Sequence, residues 1–171
     1  MLRSLLDPCS IIRVQTWDSQ AVAPSKVEET LGIAWPQKTG TVARGRADIL
    51  CTGPTDWLVV AADLDAGALV HRLDEAFEGS EFRATDVSQA LARIEIDGPD
   101  ARVLLSKGCS LDLHPSRFPP GRCARTRFAG MPVIVRCMKE STFECVVTSS
   151  YADYLRSWLT DATMEFSRTV A

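Results

Sequence analysis

Two stretches of the chain repeat one pattern of apolar and polar positions. In GPTDWLVVAADLDAGALVHRLDEAF, residues 53–77, an aromatic residue leads a run of small and β-branched residues, a polar break follows, and apolar residues then recur at helical spacing. KESTFECVVTSSYADYLRSWLTDA, residues 139–162, does the same. The two align without a gap: Trp57 falls on Phe143, Val60 on Val146, Leu69 on Leu155, Leu73 on Leu159 and Ala76 on Ala162. Each reads as a strand feeding an amphipathic helix. A repeat of this kind governs the fold before any single element does.

The elements around these joints recur in the same order. SIIRVQTWD reads as a strand with Ile12, Val14 and Thr16 on one face and Arg13 and Gln15 on the other. APSKVEETLG reads as a helix started by Pro24 and Ser25, with Val27 and Leu31 on one side and Gly32 as its stop. TVARGRADILCTGPTDWLVVAA gives two extended runs broken by the turn cluster Gly53-Pro54-Thr55-Asp56, a hairpin. A helix from Ala66 to Phe77 follows, its stripe made by Leu69, Val70, Leu73 and Phe77. From about residue 85 the order starts again. QALARIEIDG sets Leu91, Arg93 and Glu95 against Ala92, Ile94 and Ile96; GPDARVLLSKG is a helix between Pro99 and Gly108; CARTRFAGMPVIVRCM and TFECVVTSS are hairpin strands; and YADYLRSWLTDA closes the unit.

The chain therefore reads as βαββα twice, over about 9–78 and about 85–167, within one 171-residue domain. Each half has a sheet with one face to bury and helices with one apolar stripe. Helices packed on one face of a mainly antiparallel sheet satisfy both, which makes the expected class α+β, ferredoxin-like.

Composition narrows the function classes. At 46% apolar and 24% charged residues the chain is an ordinary globular protein. Its net charge of −3 provides no basic field for nucleic acid or acidic membranes. Asp7 and Pro8 interrupt the apolar run of MLRSLLDPCS, and nothing approaches the ~18 apolar residues of a membrane span. The expected setting is cytoplasmic, and there the six cysteines read as reduced, mostly buried thiols.

The chemistry-bearing residues are sparse. Of the two histidines, His71 lies among polar helix residues and His114 in the loop LDLHPSRFPPG; the spacing of His114 from Cys109 and Cys123 matches no zinc knuckle, so no metal is expected. There is no GxGxxG, GxxxxGK[ST] or GxSxG. Asp97 and Asp100 flank a helix start, where capping explains them. No catalytic, cofactor-binding or metal-binding residue is expected. Two features suit partner contact instead. Arg122, Arg125 and Arg127, with Arg117 and Arg136 nearby, form a basic strand suited to an acidic surface, with Cys123 and Phe128 expected on the opposite face. Trp35, in a loop before Pro36, is the tryptophan expected at an interface, with Trp57 and Trp158 expected in the core.

The run LLSKGCSLDLHPSRFPPGRCARTRFAGMPVIVRC, residues 104–137, with TDVSQALARIEIDGPDA before it and YADYLRSWL after it, resembles the γ subunit of heterotetrameric sarcosine oxidase; GPTDWLVV in the first half fits as well. That family is similar to folate-binding, aminomethyltransferase-like proteins, which accounts for a doubled unit. The resemblance implies a complex with α, β and δ subunits that uses oxygen to demethylate sarcosine to glycine, passing the methyl carbon to tetrahydrofolate or releasing it as formaldehyde. It also implies FAD, FMN and NAD in the large partner subunits, zinc in the δ subunit, and none of these on this chain. An N-methylglutamate dehydrogenase-type complex has a similar small subunit. Of another class are free-standing folate-binding one-carbon transferases and iron-sulfur repair proteins. In the repair proteins Lys-Gly-Cys continues toward Gly-Gln-Glu, whereas Lys107-Gly108-Cys109 here continues Ser110-Leu111-Asp112-Leu113.

Overall fold

In the computed structural model, which describes residues 2–18, 21 and 23–167 (backbone alone for 2–4), the chain forms two compact units. One is Pro8–Gln89; the other is the chain from Ala90 onward together with the first seven residues. Among the described residues the order is β1 (Leu2–Leu5), β2 (Ser10–Thr16), α1 (Ser25–Leu31), β3 (Val42–Ala43), β4 (Asp48–Gly53), β5 (Asp56–Ala61), α2 (Ala66–Ala76), β6 (Phe82–Asp86), β7 (Leu91–Asp97), α3 (Ala101–Ser106), β8 (Cys123–Phe128), β9 (Met131–Lys139), β10 (Thr142–Thr148) and α4 (Ala152–Ala162).

The periodic segments fold as their patterns demand. Gly32 ends α1 at φ +65°, a conformation that costs a residue with a Cβ more than glycine, and its N–H closes the helix on the Glu28 carbonyl. Asp65 caps α2 by accepting from the Ala68 N–H at 2.9 Å. The gapless repeat corresponds to β5–α2 and β10–α4. Trp57 and Phe143 occupy equivalent strands, and both are buried.

Both sheets are antiparallel, with strand orders β3-β4-β5-β2-β6 and β8-β9-β10-β7-β1. Without the outermost β3 and β8, each order is that of a βαββαβ ferredoxin-like unit. The strand that completes each unit lies outside the βαββα pattern. In the first unit it is β6, which directly follows α2 and pairs with β2, Thr16 opposite Phe82. In the second it is β1, from the opposite end of the chain, paired with β7 so that Leu5 meets Ile94.

Each unit has its own apolar cluster. In the first, Val27 and Leu31 of α1 and Leu69, Leu73 and Ala76 of α2 meet Ile12, Val14, Ile49, Trp57 and Val59 of the sheet. In the second, Leu104 and Leu105 of α3 and Leu155 and Leu159 of α4 meet Ile94, Ile96, Val133, Val135 and Phe143.

Three local readings change. Asp100 sits at the start of α3 but its side chain caps nothing. Asp97 instead accepts from the Thr142 hydroxyl at 2.6 Å, tying β7 to β10. Gly108 is glycine because of close approach. A Cβ there would stand 2.8 Å from the Phe128 ring and 2.9 Å from that of Trp158, and those rings pack edge-to-face with centroids 5.0 Å apart. The Gly108 carbonyl also accepts from Ala129 N–H at 2.9 Å. Ala129 and Gly130, at φ +50° and +84°, form the two-residue turn between β8 and β9. Two rings cannot both retreat, so Gly108→Ala is expected to lower the unfolding free energy by about 1–3 kcal/mol in denaturant titration; a change under ~0.5 kcal/mol would contradict the packing described.

Candidate functional site

The arginine strand resolves into fewer exposed cations than the sequence suggests. In β8, Arg125 and Arg127 lie opposite Ile134 and Pro132 of β9, share one face and are exposed. Arg127 donates from Nε and Nη2 to the Gly130 carbonyl at 3.3 and 3.0 Å, which steadies its guanidinium beside the turn. Arg122 does not join them. Its carbonyl accepts from Cys137 N–H, continuing the ladder, and at three residues from Arg125 it takes the opposite face. Cys123, expected opposite the arginines, lies two residues from Arg125 on the same side and is buried, whereas Phe128 does point into the core. Arg117 pairs with Asp112 at 3.7 Å in the adjoining loop.

Arg136 leaves the basic cluster altogether. It is 2% exposed, and its cross-strand partner on β10 is Glu144, 1% exposed. Arg136 Nε and Nη2 donate to the two Glu144 carboxylate oxygens at 3.1 and 3.0 Å. Arg93 Nη2 of β7 adds a third bond at 3.2 Å. One buried carboxylate thus holds two guanidiniums on three adjacent strands. The first unit has a smaller counterpart: Asp56 pairs with Arg13 and accepts from Gln15 Nε2 at 3.2 Å and the Thr52 hydroxyl at 3.2 Å.

Trp35 is a core residue, not a surface one, being 3% exposed. Its ring lies 5.7 Å from that of Trp57 and 5.8 Å from that of Phe77, and Phe77 stacks on Phe82 at 4.8 Å. Glu28 of α1 accepts from Trp35 N–H at 2.9 Å, which turns the segment after Gly32 back over its helix. Trp57 lies in the same aromatic group and donates to the Pro36 carbonyl at 2.8 Å. Trp17 is instead the exposed tryptophan, at 74%. Its position at the end of β2, one residue beyond the strand's last paired position, is a signal the sequence pattern did contain.

One side chain of α3 reaches across the segment between α3 and β8. Arg102 donates to the carbonyls of Leu113, Phe118 and Glu140, the last two at 3.1 and 3.2 Å, and its guanidinium lies 4.9 Å from the centre of the Phe143 ring. His114 is exposed in this segment and bonds locally, Nδ1 to Ser116 Oγ at 2.8 Å. His71 is exposed on α2, 3.9 Å from Glu75. The two histidines thus belong to different units.

The cysteines are free thiols, and five of the six are buried. Burial pushes the Cys145 thiol far up, with the neighbouring Cys109 and Glu144 acting in the same direction. Burial also raises Cys51, against hydrogen bonding with Thr39, Gly53 and Trp57 that lowers it. Neither thiol ionises near neutral pH, and the thiolate is the form that attacks or binds metal. Among the described residues no group of three or more His, Cys, Asp or Glu is placed to hold a metal ion. No helix among them is long and apolar enough to cross a membrane.

The model of the "Sarcosine oxidase, gamma subunit family" matches residues 16–165. Sarcosine oxidase subunit gamma of an Arthrobacter species is 33% identical over 145 residues, covering 82% of this chain and 70% of that protein. The protein of the same name from Corynebacterium sp. strain U-96 is 31% identical over 139 residues, 80% of this chain and 66% of its own length. The chain thus spans about two thirds of the length of these relatives. Heterotetrameric sarcosine oxidase from Corynebacterium sp. U-96, in complex with pyrrole 2-carboxylate, superposes with a TM-score of 0.89 at 24% identity over 99% of this chain and 86% of the matched one. Glycine cleavage system aminomethyltransferase T from Bartonella henselae gives 0.65 at 11% identity over 92% of this chain and 44% of the transferase. The doubled α+β architecture is shared with both.

Proposed function

The chain belongs to the sarcosine oxidase gamma subunit family, and from that premise we propose that it is the small, non-catalytic subunit of a cytoplasmic heterotetrameric sarcosine oxidase. Its partners are then the alpha, beta and delta subunits. The complex oxidises sarcosine with oxygen to glycine and delivers the methyl carbon to tetrahydrofolate or as formaldehyde. FAD, FMN and NAD reside in the large subunits and zinc in the delta subunit. The observation that carries this reading is the family match, which runs through both units from residue 16 to 165.

The chain's own residues support a scaffolding part. Its strongest polar groups are spent on internal ties: Arg136 and Arg93 on Glu144, Arg102 on three carbonyls, Arg13 on Asp56. Such ties hold a surface in one shape, which a scaffolding part requires. The test is reconstitution. With its three partners the chain is expected to co-purify in equal amount, and the assembly to consume oxygen when given sarcosine. His71→Ala and His114→Ala should each leave turnover within a few-fold of wild type. A loss above roughly a hundredfold in an assembled variant, about 2.7 kcal/mol in the barrier, would place chemistry on this chain and overturn the reading.

Arg125 and Arg127 are proposed to dock on an acidic surface of a larger subunit. Exposed charges at an interface rim act mainly on the association rate and are screened by salt. Arg125→Glu with Arg127→Glu is therefore expected to slow assembly about tenfold or more at low ionic strength, with the difference shrinking as salt rises. Equal rates in stopped-flow mixing at low salt would mean that this face is merely solvated.

A further inference from the structure

We propose that Trp17 and the outer edge of β6 form a second docking site, taking an extended segment of a partner subunit that carries a lysine or arginine. The proposal rests on the subunit reading above and names a surface for it.

The edge is open on one side. β6 pairs with β2 alone and ends the sheet order of its unit. Val87 N–H donates to the Ile11 carbonyl, so in this antiparallel register residues 85 and 83 also turn their backbone groups toward β2. The N–H and C=O groups of Phe82, Ala84 and Asp86 point the other way, where no further strand among the described residues receives them. Open edges of this kind accept an added strand, and main-chain hydrogen bonds then hold it regardless of its sequence.

Beside this edge is a hollow of about 390 Å³ lined by Trp17, Asp74, Ser80, Glu81, Phe82, Arg83 and Ala84. Trp17 follows the Thr16–Phe82 pair and Glu81 precedes it, and both line the hollow. At 74% exposure it leaves more of a large apolar surface in water than the other exposed large apolar side chains, among which Met164 follows at 61%. Tryptophan in such a position is the residue type most enriched among energetic centres of interfaces. The cation–π contacts among the described residues are Arg102 on Phe143 and Lys107 on Phe166, so Arg83 does not occupy the indole face.

Charge selects the occupant. Two carboxylates, Asp74 and Glu81, face one guanidinium, Arg83, around the hollow. An incoming cation seated on the Trp17 ring would meet both carboxylates and balance the excess. An acidic or purely apolar segment would leave it unbalanced. Strand addition supplies the register, and the indole with its carboxylates supplies the preference for a basic side chain at one position.

The experiment uses the full chain with its three partner subunits. Trp17→Ala and the pair Asp74→Lys with Glu81→Lys, each folded by circular dichroism, are titrated into the partners, and amide hydrogen exchange is followed with and without them. The expected result is at least tenfold weaker association for each variant, together with new protection at Phe82, Ala84 and Asp86 in the wild-type complex. Variants that bind within twofold of wild type, with β6 still unprotected, overturn this inference and leave the subunit reading intact. Weakening by Trp17→Ala without an effect of charge reversal overturns the basic occupant. A wild-type chain that does not join the partners at all overturns both readings.

Discussion

Glu144→Ala is expected to lower the unfolding free energy by about 3–5 kcal/mol, because it leaves a buried guanidinium without its counter-charge. Arg136 is nearly as buried as Glu144 and donates two hydrogen bonds to it across neighbouring strands, with Arg93 on the third. Once both ends are out of water, the pair is favourable only relative to a broken pair. Domains of this size are typically stable by only ~5–15 kcal/mol, so the variant is expected to be close to unfolding. The informative companion is the triple variant Arg93→Met, Arg136→Met, Glu144→Leu. It removes the charges together, and its stability is expected to equal or exceed wild type, since apolar replacement of buried ionic triads is often neutral or favourable. Urea titration decides both, read as a midpoint shift at constant slope. A loss below ~1 kcal/mol for Glu144→Ala would show that water reaches the site.

Trp57→Ala and Phe143→Ala are each expected to cost about 3–5 kcal/mol, the usual range for emptying a buried aromatic site. The two residues hold equivalent places in the repeat, on β5 and β10, and are 1% and 0% exposed. They belong to different apolar clusters. As members of different clusters, they should have effects that add to within about 0.5 kcal/mol. Hydrogen exchange should accelerate chiefly within Pro8–Gln89 for Trp57→Ala and chiefly beyond Ala90 for Phe143→Ala, since local opening follows cooperative units. Coupling above ~1 kcal/mol between the two sites would contradict independent opening of the two units.

Legibility differed sharply among residues that look alike in the sequence. The alternation of Ile12 and Val14 and the stripe of Leu69 and Leu73 are repeated locally, and both led directly to the cluster they occupy. Phe82–Asp86 was not read as a strand because an edge strand buries few side chains, here Ala84 alone fully, and so carries little alternation. Trp35 and Trp17 exchanged their expected places. The non-periodic segment GIAWPQ gives no sign that Glu28 will draw Trp35 back into the core. Arg136 sits in the β sequence MPVIVRC without distinction from Arg125, and only the cross-strand register puts a carboxylate opposite one and Ile134 opposite the other.

By itself, then, the amino-acid sequence determined the doubled order of strands and helices, the helix stop at Gly32, the hairpin turn after Gly53 and the family resemblance. Each depends on residues near one another in the chain, where periodicity and turn chemistry act. Only the tertiary structure decided that β1 completes the sheet begun by β7, that Gly108 lies under Phe128 and Trp158, that Glu144 neutralises Arg136, and that Arg125 and Arg127 remain on the surface. Those outcomes depend on strand register and on packing between segments tens of residues apart. A shift of one residue in register would turn every side chain of a strand to the other face, and no local pattern specifies which partner a face will meet.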